Sequence, residues 1–171
     1  MVGTDVLRRT AGESLAAPVS SKVVDIITPH CILSNLGVGS KKAVLSCLAR
    51  HAAEISGLTQ DEIYRALIVR EKMGSTGVGA GVAIPHARLS GLDTLVVIFA
   101  RLARPIDFDS VDDQPVDLLF LLLSPEREVA LHLKALSKIS RLLHDPVLCR
   151  SLRQAEGRDG LGAVLVDKLS T

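Results

Sequence analysis

Among the side chains of this 171-residue chain, His86 is the one best placed to do chemistry, because of what precedes it. It ends the run Gly74-Ser-Thr-Gly-Val-Gly-Ala-Gly-Val-Ala-Ile-Pro-His86, which holds four glycines within eight residues. Such a density of glycine marks backbone that approaches a ligand closely or takes left-handed dihedrals. Pro85 fixes its own φ and biases Ile84 toward an extended conformation, so the imidazole sits at the end of a stiff segment. A neutral imidazole held this way can attack with one nitrogen while the other donates to a fixed acceptor and sets the tautomer. Where the electrophile is phosphorus, the loose transition state asks the protein chiefly for position and for donors to the phosphoryl oxygens. Arg70, Arg88, the hydroxyls of Ser75 and Thr76, and the N–H groups of the glycine run are the candidate donors. Spacing alone leaves this reading level with a plainer one, in which His86 is a hydrogen-bonded turn histidine.

The other phosphate-handling patterns fail. No lysine lies between Lys72 and His86, so the phosphate loop GxxxxGK followed by Ser or Thr is not met. The glycines read G-x-G-x-G after a helical segment, not GxGxxG after a strand, which excludes the dinucleotide fingerprint. No HxxxH or HExxH occurs, so spacing gives no metal site. His30, His51 and His144 read as structural, the last at a helix end where a positive charge suits the dipole.

Several elements must hold the segment. Cys31 to Gly37 resembles a short strand leading into a turn. Ser40 is a helix cap, apolar residues from Ala43 to Ile55 recur at helical spacing, and Gly57 closes the helix. Thr59 and Glu62 have the spacing of a capping box, which predicts a second helix from about 60 to Met73. Thr94 to Ala100 and Val116 to Leu123 are near-continuous β-branched and apolar runs, suited to strands buried on both faces. The intervening RPIDFDSVDDQP reads as a loop with at most a short edge strand. Helical patterns follow from about Glu126 to Leu143, from Pro146 to about Ala155, and from about Asp159 to Leu169. This order predicts an α/β fold, a single mixed β-sheet with helices on both faces.

Composition narrows the class. Apolar residues make up 47% and charged residues 23%, the balance of a globular protein able to bury a core. Aromatics are only 2% (Tyr64, Phe99, Phe108, Phe120), too few for the stacking platforms of single-strand nucleic-acid binders. A net charge of +1 without a basic run gives no footprint for nucleic acid or an anionic membrane. The longest apolar run, Leu118 to Leu123, is far short of the roughly 20 residues of a membrane helix. Cys31, Cys47 and Cys149 form no CxxC pair and read as buried thiols in a reducing compartment. Arg8 and Arg9 are followed by no apolar segment, so an export signal is not expected. Residues 1–22 read as a mobile N-terminal extension and residues 23–171 as one domain, cytoplasmic by these criteria.

Beyond chemistry and spacing, the run from Arg70 to His86 resembles the signature of fructose/mannitol-type IIA domains of the bacterial phosphoenolpyruvate-dependent phosphotransferase system. Within that family the nitrogen-regulatory branch is the most similar. PIDFDSVDDQPVDLLFLLLSP at 105–125 and HLKALSKISRLLHDPVLCRSLR at 132–153 extend the likeness over nearly everything from Val23 onward. The resemblance implies that His86 is phosphorylated by a small HPr-like phosphohistidine carrier protein. Arg70 then corresponds to an arginine beside the phosphorylation site and His132 to a second histidine close to it, with no cofactor required. It further implies target proteins regulated by the phosphorylation state, or, as the alternative, a sugar-transport IIA that passes phosphate to a IIB domain. A pure binding module that had lost the chemistry would have degraded these residues, yet His86, Arg70 and His132 all remain. Ala83, Ile84, Ala87 and Leu89 are expected as docking groups. One departure is Ala80, where many members of the family carry Asn.

Overall fold

The two long apolar runs become the centre of the sheet, and the amphipathic segments pack on its two faces. The computed structural model describes Val23 and residues 27–171, so the expected 1–22 extension lies outside the described residues. In chain order the elements are β1 (Ile32–Leu36), α1 (Lys41–Ser56), α2 (Gln60–Lys72), β2 (Gly77–Gly79), β3 (Val82–Ala83), β4 (His86–Leu89), β5 (Val96–Ile106) and β6 (Val116–Pro125). Three helices complete the chain: α3 (Val129–Leu143), α4 (Pro146–Gln154) and α5 (Gly157–Leu169). The local signals act as read. Ser40 Oγ accepts from Ala43 N–H at 3.2 Å, Gly57 ends α1 at φ 76°, and Thr59 with Glu62 forms the capping box of α2.

The sheet is mixed. β5 and β6 pair antiparallel, β1 adds parallel to β5, and β3 and β4 run parallel to β6. β2 pairs antiparallel with β3 only, so among the described residues no strand covers the outer edge of β4. Alternation along the strands divides the core. Leu119, Leu121, Leu123, Ile98 and Ala100 face α1 and α2, against Leu45, Leu48, Ile63 and Leu67. Leu118, Phe120, Leu122, Val97 and Phe99 face the last three helices, against Ile139, Leu148, Leu152 and Leu165. Burying each such side chain contributes about 1.5–3 kcal/mol, which makes this two-faced sheet a rigid platform.

Three local readings are corrected. β5 does not stop near Ala100 but continues through Pro105 to Ile106, where Ile106 pairs with Val116 and both are buried. Pro105 is tolerated because it is exposed and lies where the β5–β6 register is irregular. His86 does not only end the glycine-rich run; it opens β4, in the same register with β6 that β3 already has (Val82 opposite Leu118, His86 opposite Leu122). Pro85 interrupts this path without ending it, since its carbonyl accepts from Leu122 N–H at 3.0 Å. Cys31 and Cys149 are buried as expected, but Cys47 is only half-buried.

Candidate functional site

β4 turns its residues to opposite faces. Ala87 and Leu89 enter the core beneath α1 and α2, which leaves His86 and Arg88 on the other face, toward α3. The imidazole of His86 is held at both nitrogens. Nδ1 lies 2.7 Å from the carbonyl oxygen of Ile84, an acceptor only, so Nδ1 carries the proton and donates. Nε2 therefore keeps its lone pair, and it accepts from Arg70 Nε–H at 3.1 Å. Burial holds the His86 pKa below its ordinary value; the Ile84 bond opposes this, and the neighbouring Arg70 charge adds to it. The side chain is thus neutral near pH 7, with its nucleophilic nitrogen outward.

Arg70 reaches this place from the last turn of α2, where its Nη1 donates to the carbonyl of Gly74 at 2.8 Å. That bond ties the guanidinium to the first glycine of the run. His132 comes from the first turn of α3, its ring centroid 5.5 Å from that of His86. It is buried, and its Nδ1 lies 2.6 Å from Oγ of Ser124, which is fully buried at the end of β6. Burial, reinforced by His86 and Arg88, pushes the His132 pKa down to about 4.

His86, Arg70, Arg88 and His132 line one open cavity of about 570 Å³ between α2 and α3. Its rim carries the exposed side chains of Val69, Met73, Val129 and Leu133. The expected docking groups Ala83, Ile84, Ala87 and Leu89 are instead buried, because they are the inward residues of β3 and β4 and of the link between them. Arg88 Nη1 donates to the carbonyl of Glu126 at 3.2 Å. Ser75 and Thr76 lie outside this cavity. Ser75 Oγ donates to the Phe108 carbonyl at 2.7 Å and accepts from Gly77 N–H. The Thr76 hydroxyl and N–H both donate to Glu71, and Thr76 is 3% exposed. His30, His51 and His144 do not line the cavity; His144 Nδ1 bonds the Ser140 carbonyl in its own helix.

Sequence reasoning missed Glu71, Lys41 and Ser124. The Glu71 carboxylate pairs with Lys41 Nζ at 2.9 Å and holds Thr76, so it joins the ends of α1 and α2 to the start of the glycine run. Lys41 also donates to the Phe108 carbonyl and lies over the Phe108 ring. The ionisable pair lies 30 residues apart in sequence (71 − 41), and nothing local announces it. Ala80 stands at φ 55° between two glycines of positive φ, which is the left-handed region that Asn enters more readily than Ala.

The family model described as "Phosphoenolpyruvate-dependent sugar phosphotransferase system, EIIA 2" matches residues 25–167. A protein of Bradyrhizobium diazoefficiens named "Nitrogen regulatory protein" is 48% identical over 143 residues, covering 84% of this chain and 94% of that protein. The crystal structure of nitrogen regulatory protein IIA-Ntr from Neisseria meningitidis superposes with a TM-score of 0.80 at 34% identity, covering 84% of this chain and 98% of that one. The mannitol IIA enzyme of Escherichia coli, solved in complex with its phosphorylated IIB enzyme, shares the fold at a TM-score of 0.69 and 15% identity, with 84% and 96% covered. Among the described residues, no helix is long and apolar enough to cross a membrane. With the match spanning nearly all of the fold and the site, the chain belongs to the EIIA 2 family of the phosphoenolpyruvate-dependent sugar phosphotransferase system.

Proposed function

We propose that His86 accepts a phosphoryl group at Nε2 from an HPr-like phosphohistidine carrier protein, and that the phosphorylation state of this chain regulates partner proteins. The observation that carries the reading is the division of labour on one ring: Nδ1–H fixed on Ile84, and an unprotonated Nε2 whose lone pair accepts from Arg70. In the transfer, Nε2 attacks the phosphorus of the carrier's phosphohistidine. The new N–P bond forms as the carrier's P–N bond breaks, and that electron pair returns to the carrier's imidazole. Positive charge gathers on the His86 ring, where the Ile84 carbonyl meets it through Nδ1–H. Arg70, released from Nε2, turns its N–H groups to the phosphoryl oxygens, a charge-assisted and geometrically suited contact. His132 supplies a further donor, and Arg88 a cation at the rim. Ser75 and Thr76 contribute by holding the glycine-rich turn. No metal ion or nucleotide takes part.

The apolar rim of Val69, Met73, Val129 and Leu133 suits the docking of a protein donor, because it surrounds the nucleophile with surface that is otherwise wasted in water. Residues 23–171 constitute the phosphoacceptor domain in this reading, and residues 1–22 an extension to it. The names of the relatives favour a nitrogen-regulatory role. The rival role, passage of phosphate to a IIB domain during sugar uptake, has its support in the mannitol enzyme's complex with phosphorylated IIB. Incubation with phosphoenolpyruvate, the first enzyme of the system and the carrier yields an acid-labile mass gain of one phosphoryl group; His86→Ala abolishes it. Equal labelling of His86→Ala overturns the proposal. Loss of growth on a single sugar in a strain lacking the gene would replace regulation by transport.

A further inference from the structure

Ser124 lies outside the glycine-rich run and has no exposure to solvent, yet it touches the site through one bond. It lies on β6 directly opposite Arg88 of β4 and is 0% exposed. Among the described residues its Oγ has a single hydrogen-bond partner, Nδ1 of His132 at 2.6 Å. Two proton arrangements fit that distance. If Nδ1 were protonated and donated to Ser124, the hydroxyl proton would be left without an acceptor in a dry interior, which buried donors avoid. If the hydroxyl donates, both groups are satisfied and the proton of the neutral ring moves to Nε2. Nε2 lies across the ring from Ser124, and the ring lines the cavity that also holds His86. Neutrality of His132 follows from its burial and from the neighbouring His86 and Arg88.

We propose that Ser124 is a positioning residue: its hydroxyl donates to Nδ1 of His132 and holds that imidazole as the Nε2–H tautomer, ready to donate to a phosphoryl oxygen on His86. This rests on the phosphoacceptor reading of His86. The contact works as outer-shell carboxylates and carbonyls do for metal-bound histidines, by fixing the tautomer and the ring plane before the reaction begins. Ser124→Ala removes the donor, leaves Nδ1 unpaired, and frees the ring to turn about its side-chain torsion.

The test uses the full chain. Long-range proton–nitrogen spectra of the unphosphorylated protein report the tautomer of His132 directly, and rapid-quench transfer from the phosphorylated carrier reports the rate onto His86. The proposal expects His132 to be Nε2-protonated in the wild type, with its Nδ1 resonance moved by Ser124→Ala. It expects transfer to slow about tenfold in that variant, the effect of one hydrogen bond. Ser124→Cys, a weaker donor of nearly equal size, falls between the two. In a His132→Ala background the Ser124→Ala change costs no further rate, whereas a merely structural role would cost the same again. A wild-type His132 protonated at Nδ1, or an equal loss in both backgrounds, overturns the proposal. Absence of transfer to the wild type would overturn the phosphoacceptor reading and with it the role in transfer, while the tautomer spectrum still decides whether Ser124 donates.

Discussion

Arg70→Ala is the perturbation whose size the geometry fixes best. It removes an N–H donor 3.1 Å from the nucleophilic Nε2 and the charge that stands ready for the phosphoryl oxygens. Hydrogen bonds to charged groups contribute roughly 1.5–3 kcal/mol, and loss of a donor aimed at transition-state charge costs about 2.7–4 kcal/mol in a closed site. The cavity here is open to solvent and part-screened, so the expected loss is about 2–3 kcal/mol, or roughly 30- to 150-fold in transfer rate. Arg70→Lys keeps the charge but not the planar fork, and should recover only part of that. A second signature follows from sign. The Arg70 charge helps hold the His86 pKa down, so in Arg70→Ala the acid limb of the rate–pH profile moves to higher pH. Rapid-quench transfer from the phosphorylated carrier, measured across pH, reads both effects. A rate within twofold of wild type with an unmoved acid limb would refute the assignment of Arg70 to the site.

Other consequences are equally open to measurement. With an ordinary value of 6.5 and a folded value of about 4, His132 is a buried histidine that the unfolded chain protonates first. Acid therefore favours unfolding, and this group alone removes roughly 3 kcal/mol of stability as pH falls from about 6.5 to about 4. Urea denaturation of His132→Asn should show a correspondingly shallower acid slope than the wild type; parallel slopes would contradict it. Glu71→Gln leaves the part-buried Lys41 with only the exposed carboxylate of Asp109 but keeps an acceptor for Thr76, so about 2–3 kcal/mol should be lost. A loss below about 1 kcal/mol would mean that the pair is not a structural anchor. Ala80→Gly relieves a left-handed residue at a cost of about 1–2 kcal/mol, less the extra freedom of glycine in the unfolded chain. A net gain of about 0.5–1 kcal/mol in thermal denaturation is expected, and a net loss would show that φ strain at this turn is negligible.

Signals carried within one turn or one strand are legible in the residues alone. Ser40, Thr59 with Glu62, and Gly57 set helix ends through bonds spanning a few residues, and they act in the fold as their types require. The apolar runs of β5 and β6 were equally plain, as was the constrained histidine after Pro85. What escaped depends on partners distant in the chain. β4 looks too short and too polar to be a strand, and exists because β6 offers it an edge in continuous register with β3. The continuation of β5 past Pro105 is fixed by Val116, across a turn. Glu71 with Lys41, and Ser124 with His132, are side-chain pairs that only the packed sheet brings together. Nearness in sequence makes Ser75 and Thr76 candidate donors to a phosphoryl group, but their hydroxyls turn inward to Phe108 and Glu71. Proximity along the chain identified the loop; only the fold distinguishes the side chains that face the cavity from those that hold it.

The central claim is narrower than phosphorylation: it specifies one nitrogen of one ring. Phosphorus–nitrogen correlation on the protein labelled with nitrogen-15 in its histidines, recorded after incubation with the phosphorylated carrier at alkaline pH, identifies that atom. A single phosphoryl signal coupled to Nε2 of His86, with Nδ1 still protonated toward Ile84, is the predicted result. A signal on Nδ1 of His86, or on any other histidine, would contradict the account.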